Sequence, residues 1–206
     1  MGISGAVQII AAPGDVSVGH LESDTSAQLF AERQAVTISQ PLVLDITAAG
    51  NSPNGNDPNF SLATLPAGTL VNSYYLHFDV VGTPAQGVEV TGSVTWGEQI
   101  LGLIVGVENG TTIDQSGNSL DLSNSALGAP GTLYGFDPID LSNLTDSVSL
   151  SADRRTITFD WATAGSADNM RIITAATPEP GSIYGLSMLG LLLLRRGRRR
   201  GQTEGN

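Results

Sequence analysis

Ser147–Trp161 reads SVSLSADRRTITFDW, and its alternation sets the fold class. Val148 and Leu150 alternate with serines, and Ala152-Asp153-Arg154 turns the chain. Ile157, Phe159 and Trp161 return on one face, with Thr156, Thr158 and Asp160 on the other. Side chains two apart in a strand share a face, so this stretch is a β-hairpin with one apolar side. Thr69–Val81 repeats the pattern, placing Tyr74, Leu76, Phe78 and Val80 against a polar face of Ser73, Tyr75, His77 and Asp79. Val88–Trp96 does so again, with Val88, Val90, Val94 and Trp96 inward and Glu89, Thr91, Ser93 and Thr95 outward. Ile100–Val107 is almost wholly apolar, which predicts a strand covered on both faces.

The remaining segments fit the same class. Val36–Ser39 and Leu42–Thr47 are β-rich runs split by Pro41, and Met170–Thr174 reads as a last strand. One short helix is expected in the body, over Ser26–Arg33. Asn51–Asn59 and Gly110–Tyr134 read as loops rich in turn-forming residues. Strands at this spacing, without long amphipathic helices, predict an all-β body over residues 1–176. The architecture expected is an antiparallel two-sheet sandwich of jelly-roll type, followed by a tail over 177–206.

Composition agrees with an all-β body. The 206 residues include 25 Gly and 10 Pro, and only 14% are charged, which suits a turn-rich β fold better than helices with charged outer faces. Lys is absent. Through Pro178 four Arg stand against 18 acidic residues, whereas the remainder holds five Arg and two acids. A body this acidic is repelled by nucleic acid, so no nucleic-acid partner is expected. It suits a soluble exported protein or one that collects divalent cations. Cys is also absent, which excludes disulfides, thiol catalysis and iron–sulfur clusters.

No catalytic signature stands out, and the body is expected not to be an enzyme. His77 and Asp79 share a strand face and could bind a metal or relay a proton, but the favoured reading is an exposed polar strand face. Glu98 beside Trp96 has the nearest look of a sugar site, although the inward alternation makes Trp96 a core residue, and Trp161 likewise. A carbohydrate-binding module needs exposed aromatic rings, for which Tyr75, Tyr134 and Phe136 are the candidates. A polysaccharide hydrolase or lyase needs two carboxylates, or a base and a metal, meeting in one cleft. Asp114-x-Ser116-x-Asn118 spaces oxygen ligands as a Ca²⁺ loop does, and Asp57 lies in another oxygen-rich loop with Asn54 and Asn56. Position six of the first loop is Ser119 rather than Gly and no Glu closes it, so the EF-hand pattern fails and turn chemistry is favoured at both. No cofactor is expected, with Ca²⁺ as the alternative.

The tail is the informative part. Pro178-Glu179-Pro180 ends the fold and holds the chain extended within 177–181. An uncharged apolar segment over 182–194 contains Ile183, Leu186, Met188, Leu189, Leu191, Leu192, Leu193 and Leu194. Arg195, Arg196, Arg198, Arg199 and Arg200 follow within the Arg-rich end, 195–206. An apolar helix, a basic cluster and a short end form the pattern of a C-terminal membrane segment, with the arginines held on the cytoplasmic side. Residues 181–194 make a helix of about 21 Å, short against a bilayer core of about 30 Å, which suits a transient segment better than a lasting anchor.

These three parts together resemble the PEP-CTERM sorting signal of bacterial exported proteins, a tail also labelled an ice-binding protein C-terminal region. The resemblance covers about the last 25 residues. It implies that exosortase, a multi-pass enzyme of the inner membrane, reads Pro178-Glu179-Pro180. It also implies export to the cell surface or extracellular matrix and an association with exopolysaccharide and biofilm. Ice binding does not follow, because Thr156 and Thr158 alone make no Thr ladder. Members of that family also carry an N-terminal signal peptide. Here no Lys or Arg precedes Arg33, and Gly5-Ala6-Val7 reads as a mature N-terminus, which places the expected leader upstream of Met1.

Overall fold

The computed structural model describes residues 1–14, 16–53, 62–105, 119–128 and 146–176. Twelve strands and one helix lie within them. They are β1 (Gly2–Gly5), β2 (Val7–Ile9), β3 (Ala27–Thr37), β4 (Leu42–Leu44), β5 (Gly50–Pro53), β6 (Ala63–Leu65), β7 (Leu70–Asp79), β8 (Val88–Thr95), β9 (Ile100–Ile104), α1 (Ser119–Leu127), β10 (Ser147–Leu150), β11 (Thr156–Thr163) and β12 (Ala167–Ala175). The body is all-β, as the alternation implied. Sheet one runs β1-β8-β11-β10-β5, sheet two runs β2-β3-β7-β12-β9, and β4 and β6 form a small third sheet.

The hairpin that set the fold class is present. Val148 pairs with Phe159 and Leu150 with Ile157, so the inward residues of both strands lie side by side. Its turn is held by side chains, with the Ser151 hydroxyl donating to Asp153 Oδ1 at 2.6 Å. Trp161, Phe159, Ile157, Val148 and Leu150 share one hydrophobic cluster with Leu76, Phe78, Met170 and Ile172 of sheet two. The two large sheets therefore close over a common core. Burying each large side chain there contributes roughly 1.5–3 kcal/mol. Gly92 lets the layers approach: a Cβ added to it would sit 2.6 Å from Val7 Cγ2 and 2.8 Å from Phe159 Cζ.

Four expectations are corrected. The stretch expected to be a helix from Ser26 is instead the start of β3, an 11-residue strand. Its helix-forming residues are overridden by a long antiparallel ladder to β7, and two register shifts, between Ala31 and Arg33 and between Arg33 and Val36, absorb the misfit. Within the expected 110–134 loop, α1 forms over Ser119–Leu127. Its Ser- and Asn-rich sequence hides it from propensity arguments, and packing of Leu120, Ala126 and Leu127 into a second core secures it. Gly50–Pro53, partly within the expected 51–59 loop, pairs with β10 as an edge strand, where Pro53 is tolerated. The sheets are not purely antiparallel, because β2 pairs with β3 in parallel. Gly5, at φ +74°, makes the bend by which the chain passes from sheet one into sheet two.

The second core explains the most consequential difference. Sheet two is covered on its outer face as well, where Phe30, Val71, Tyr75, Ile104 and Ile173 pack with Ile38, Leu42, Leu44 and α1. Ile100–Ile104 is buried on both faces apart from Leu101, as its continuous apolar sequence predicts.

Candidate functional site

The polar residues of β7 lie in this covered layer. Cross-strand register sets Gln28, His77 and Asn169 in one row across β3, β7 and β12, and Phe30, Tyr75 and Arg171 in the next. The expected exposed polar face is thus a buried one: Ser73 and His77 are fully buried, Tyr75 is 1% exposed and Asp79 2%. Alternation separated the two faces correctly. It could not show that a helix, a small sheet and a loop cover the second. Tyr75 is therefore lost as an exposed aromatic platform.

At the centre of the layer stands a buried ion pair. Arg171 Nη2 lies 2.6 Å from Glu32 Oε1, with both side chains almost wholly out of solvent. Arg171 Nε donates to Glu32 Oε2 at 2.9 Å, and the Ser73 hydroxyl donates to the same oxygen at 2.7 Å. The other guanidinium protons reach α1, at the Leu120 carbonyl, Ser123 Oγ and Asn124 Oδ1. The guanidinium lies over the Tyr75 ring at 5.3 Å, and Phe30 stacks on that ring. A buried charge pair is tolerated when its remaining hydrogen-bonding capacity is met, which is the case here. The arrangement fastens α1 to sheet two.

A second assembly fastens the loop before β3. His77 Nδ1 lies 2.8 Å from Asn169 Oδ1, and Nε2 lies 3.0 Å from the His20 carbonyl oxygen. Asp79 Oδ2 accepts the Gly19 N–H at 2.6 Å. Burial pushes the Asp79 carboxyl above its ordinary value, against the lowering effects of the Gly19 N–H and of His77. Among the described residues no group of three or more His, Asp or Glu is placed to hold a metal ion. His77 and Asp79 are engaged with the protein's own chain, and their observed task is to hold the 16–24 segment on the sheet.

The Trp96–Glu98 pair takes a third position, at one end of the main core. Trp96 is 2% exposed, as its inward alternation predicts, and its ring lies 5.5 Å from that of Tyr74. The Tyr74 hydroxyl donates to Gln34 Oε1 at 3.4 Å. Burial, and after it the nearby Glu98 carboxylate, raise the Tyr74 hydroxyl pKa. Trp161 is fully buried, also as predicted.

Asp57, Asp114, Ser116 and Asn118 lie outside the described residues, as do Tyr134 and Phe136. So do Pro178-Glu179-Pro180, the apolar 182–194 segment and the arginine cluster that follows it. Among the described residues no helix is long and apolar enough to cross a membrane. Sequence reasoning missed Arg171, Glu32 and Asn169. The signal available was Arg171 itself, a lone cation inside the apolar run Met170–Ile173. No protein-family model, curated protein or solved structure matches the chain.

Proposed function

We propose that the chain is an exported surface or extracellular-matrix protein, sorted through a PEP-CTERM-type tail, with a non-catalytic structural or adhesive role in exopolysaccharide. One observation carries this reading: the order of Pro178-Glu179-Pro180, the apolar 182–194 segment and five arginines within 195–200. Glu179 is the centre of the motif read by exosortase, and Pro178 and Pro180 keep it extended. The apolar segment engages the inner membrane, and the arginines hold the C-terminus on the cytoplasmic side. The body outside is a β-sandwich of jelly-roll type. Support for that architecture comes from the core shared by two five-stranded sheets and from the chain changing sheet at β7–β8, β8–β9, β9–β10 and β11–β12. Support for a structural role comes from Arg171, Glu32, His77 and Asp79, whose polar groups bind the protein's own strands, helix α1 and the 16–24 segment.

The sorting reading is tested by placing the full chain behind a secretory leader in a bacterium that carries an exosortase. The expected result is a shortened, released protein. Replacing Glu179 with Ala, or all five tail arginines with Ser, is expected to leave it unprocessed in the membrane fraction. Release of both variants at the normal size and level overturns the reading.

A further inference from the structure

We propose that His77 is a proton-operated latch: its charged ring, donating from both nitrogens, holds the 16–24 segment on sheet two, and loss of one ring proton as pH rises releases that segment. The ring is fully buried, and each nitrogen faces an oxygen. Nε2 lies 3.0 Å from the His20 carbonyl oxygen, and Nδ1 lies 2.8 Å from Asn169 Oδ1. A carbonyl oxygen accepts and never donates, so Nε2 carries a hydrogen. Turning the Asn169 amide over would offer Nδ1 a donor. However, Asn169 Nδ2 already donates to the Ala167 carbonyl at 3.3 Å, and a turned amide would set two acceptors against each other there. Nδ1 therefore donates as well. Two N–H donors on one imidazole are a property of its charged form.

The surrounding charge favours that form. Asp79 shares the strand face of His77, two residues on, and its carboxylate is attracted by the ring. Glu22 and Asp24 add negative charge from the segment itself, where they accept the Gly82 and Val81 N–H groups. The same segment carries the exposed His20. Within the row of the ring, Gln28 of β3 and Asn169 of β12 are neutral. The next row holds Arg171, already paired with Glu32. Burial opposes a charge on His77, and two charge-assisted hydrogen bonds with a carboxylate nearby offset it.

The segment that the ring holds is under tension. Leu21 sits at φ +59°, a left-handed backbone that a branched side chain keeps where its surroundings impose it. The Gly19 and Ser23 N–H groups on either side both reach Asp79, at Oδ2 (2.6 Å) and at the backbone oxygen (2.7 Å). A neutral His77 presents a lone pair to one of its two oxygens, and the Asp79 carboxylate then has no charged ring beside it. Asn169 is fixed within a strand ladder, whereas His20 lies in the turn, so the His20 contact gives way. The hold is complete while the ring is charged and is lost as pH rises through the ring's own transition.

The test uses the full chain in detergent micelles with ¹⁵N-labelled histidine. The chain has two His, so His77→Gln assigns the ring signals. Spectra are recorded from about pH 5 to about pH 9, which brackets the ordinary histidine range. At the acid end both His77 nitrogens are expected to give N–H signals. As pH rises one becomes a lone-pair nitrogen. Over the same range the hydrogen-exchange protection of the Gly19 and Ser23 amides, corrected for intrinsic rates, is expected to fall about tenfold, the loss of one charge-assisted hydrogen bond. The β7–β12 ladder amides are expected to stay protected. His20→Gln keeps the backbone carbonyl and is expected to leave both transitions in place, whereas His77→Gln is expected to make the protection of Gly19 and Ser23 independent of pH. The proposal is overturned if a lone-pair signal is present already at the acid end. It is overturned if the ring titrates while Gly19 and Ser23 stay protected, or if His20→Gln abolishes the pH dependence. Should His77→Gln fail to fold, coincidence of the two transitions in the wild-type chain decides.

Discussion

Sheet one and sheet two have the same number of strands and share one core, yet their second faces differ. On sheet one that face meets solvent, where Thr91, Thr95 and Thr158 are exposed and Ser93, Ser147 and Ser149 are half-buried. On sheet two the corresponding face is covered and carries Ser73, His77, Asn169 and Arg171, all buried. Polar alternation looks alike in both sequences. Its physical meaning is opposite: polar side chains on the open face of sheet one pair with one another across strands, as Thr91 does with Asp160 and Thr95 with Thr156, whereas Arg171 and His77 of sheet two also bond to the chain that covers them. A polar residue on a strand reports a need for partners, and water is only one source of them.

The largest expected effect breaks that covered face. Glu32→Ala leaves the Arg171 guanidinium buried without its carboxylate and removes the acceptor of Ser73. Loss of one partner of a buried pair destabilises by roughly 3–5 kcal/mol. Urea unfolding is expected to shift accordingly, with protection of the α1 amides from hydrogen exchange lost first. A shift within about 0.5 kcal/mol, the scale of a surface substitution, would place Arg171 in water and remove the difference between the sheets.

A second prediction sharpens the comparison through pH. Burial raises the Asp79 carboxyl in the fold above its reference value of 3.8, so the folded state binds this proton more tightly than the unfolded chain. The stability it contributes is complete below pH 3.8 and is lost as pH rises through the folded value. Asp79→Asn removes the titration while its side-chain oxygen can still accept the Gly19 N–H. The difference in unfolding midpoint between wild type and variant is therefore expected to move in the variant's favour as pH rises from about 4 to 7. A difference that stays constant over that range would mean that Asp79 titrates alike folded and unfolded, as a solvent-facing carboxylate does.

Legibility in the sequence followed the same division. The β10–β11 hairpin, the inward faces of β8 and β11, and the burial of Trp96 and Trp161 were all readable, because each rests on a local period of two. Strand β3 was not, since Ala27-Gln28-Leu29 with Glu32 favours a helix until β7 pairs with it. Helix α1 was not, since Ser and Asn prefer turns until Arg171 and the second core hold them. His77 and Asp79 were picked out by residue type, but their burial depended on the 16–24 segment and α1. The ion pair was hidden by distance along the chain: Glu32 and Arg171 are 139 residues apart.

The smallest expected effect concerns the open face. Thr95 and Thr156 are opposite one another in register, with their hydroxyl oxygens 2.9 Å apart. Replacing either with Val keeps the β-branched shape, so each single change is expected within about 0.5 kcal/mol of wild type. The double-mutant cycle then isolates the hydroxyl pair, whose coupling is expected at roughly 0.2–1 kcal/mol. In water each hydroxyl released by its neighbour finds a new partner at once, which keeps the coupling small. A coupling above about 2 kcal/mol, the range of buried networks, would require that water be absent. Sheet one would then be covered in solution by something other than its own chain. Repeating the cycle across a protein dilution series would decide whether that cover is a second copy: a coupling that falls on dilution assigns it to self-association, and one that does not leaves the face open to another ligand.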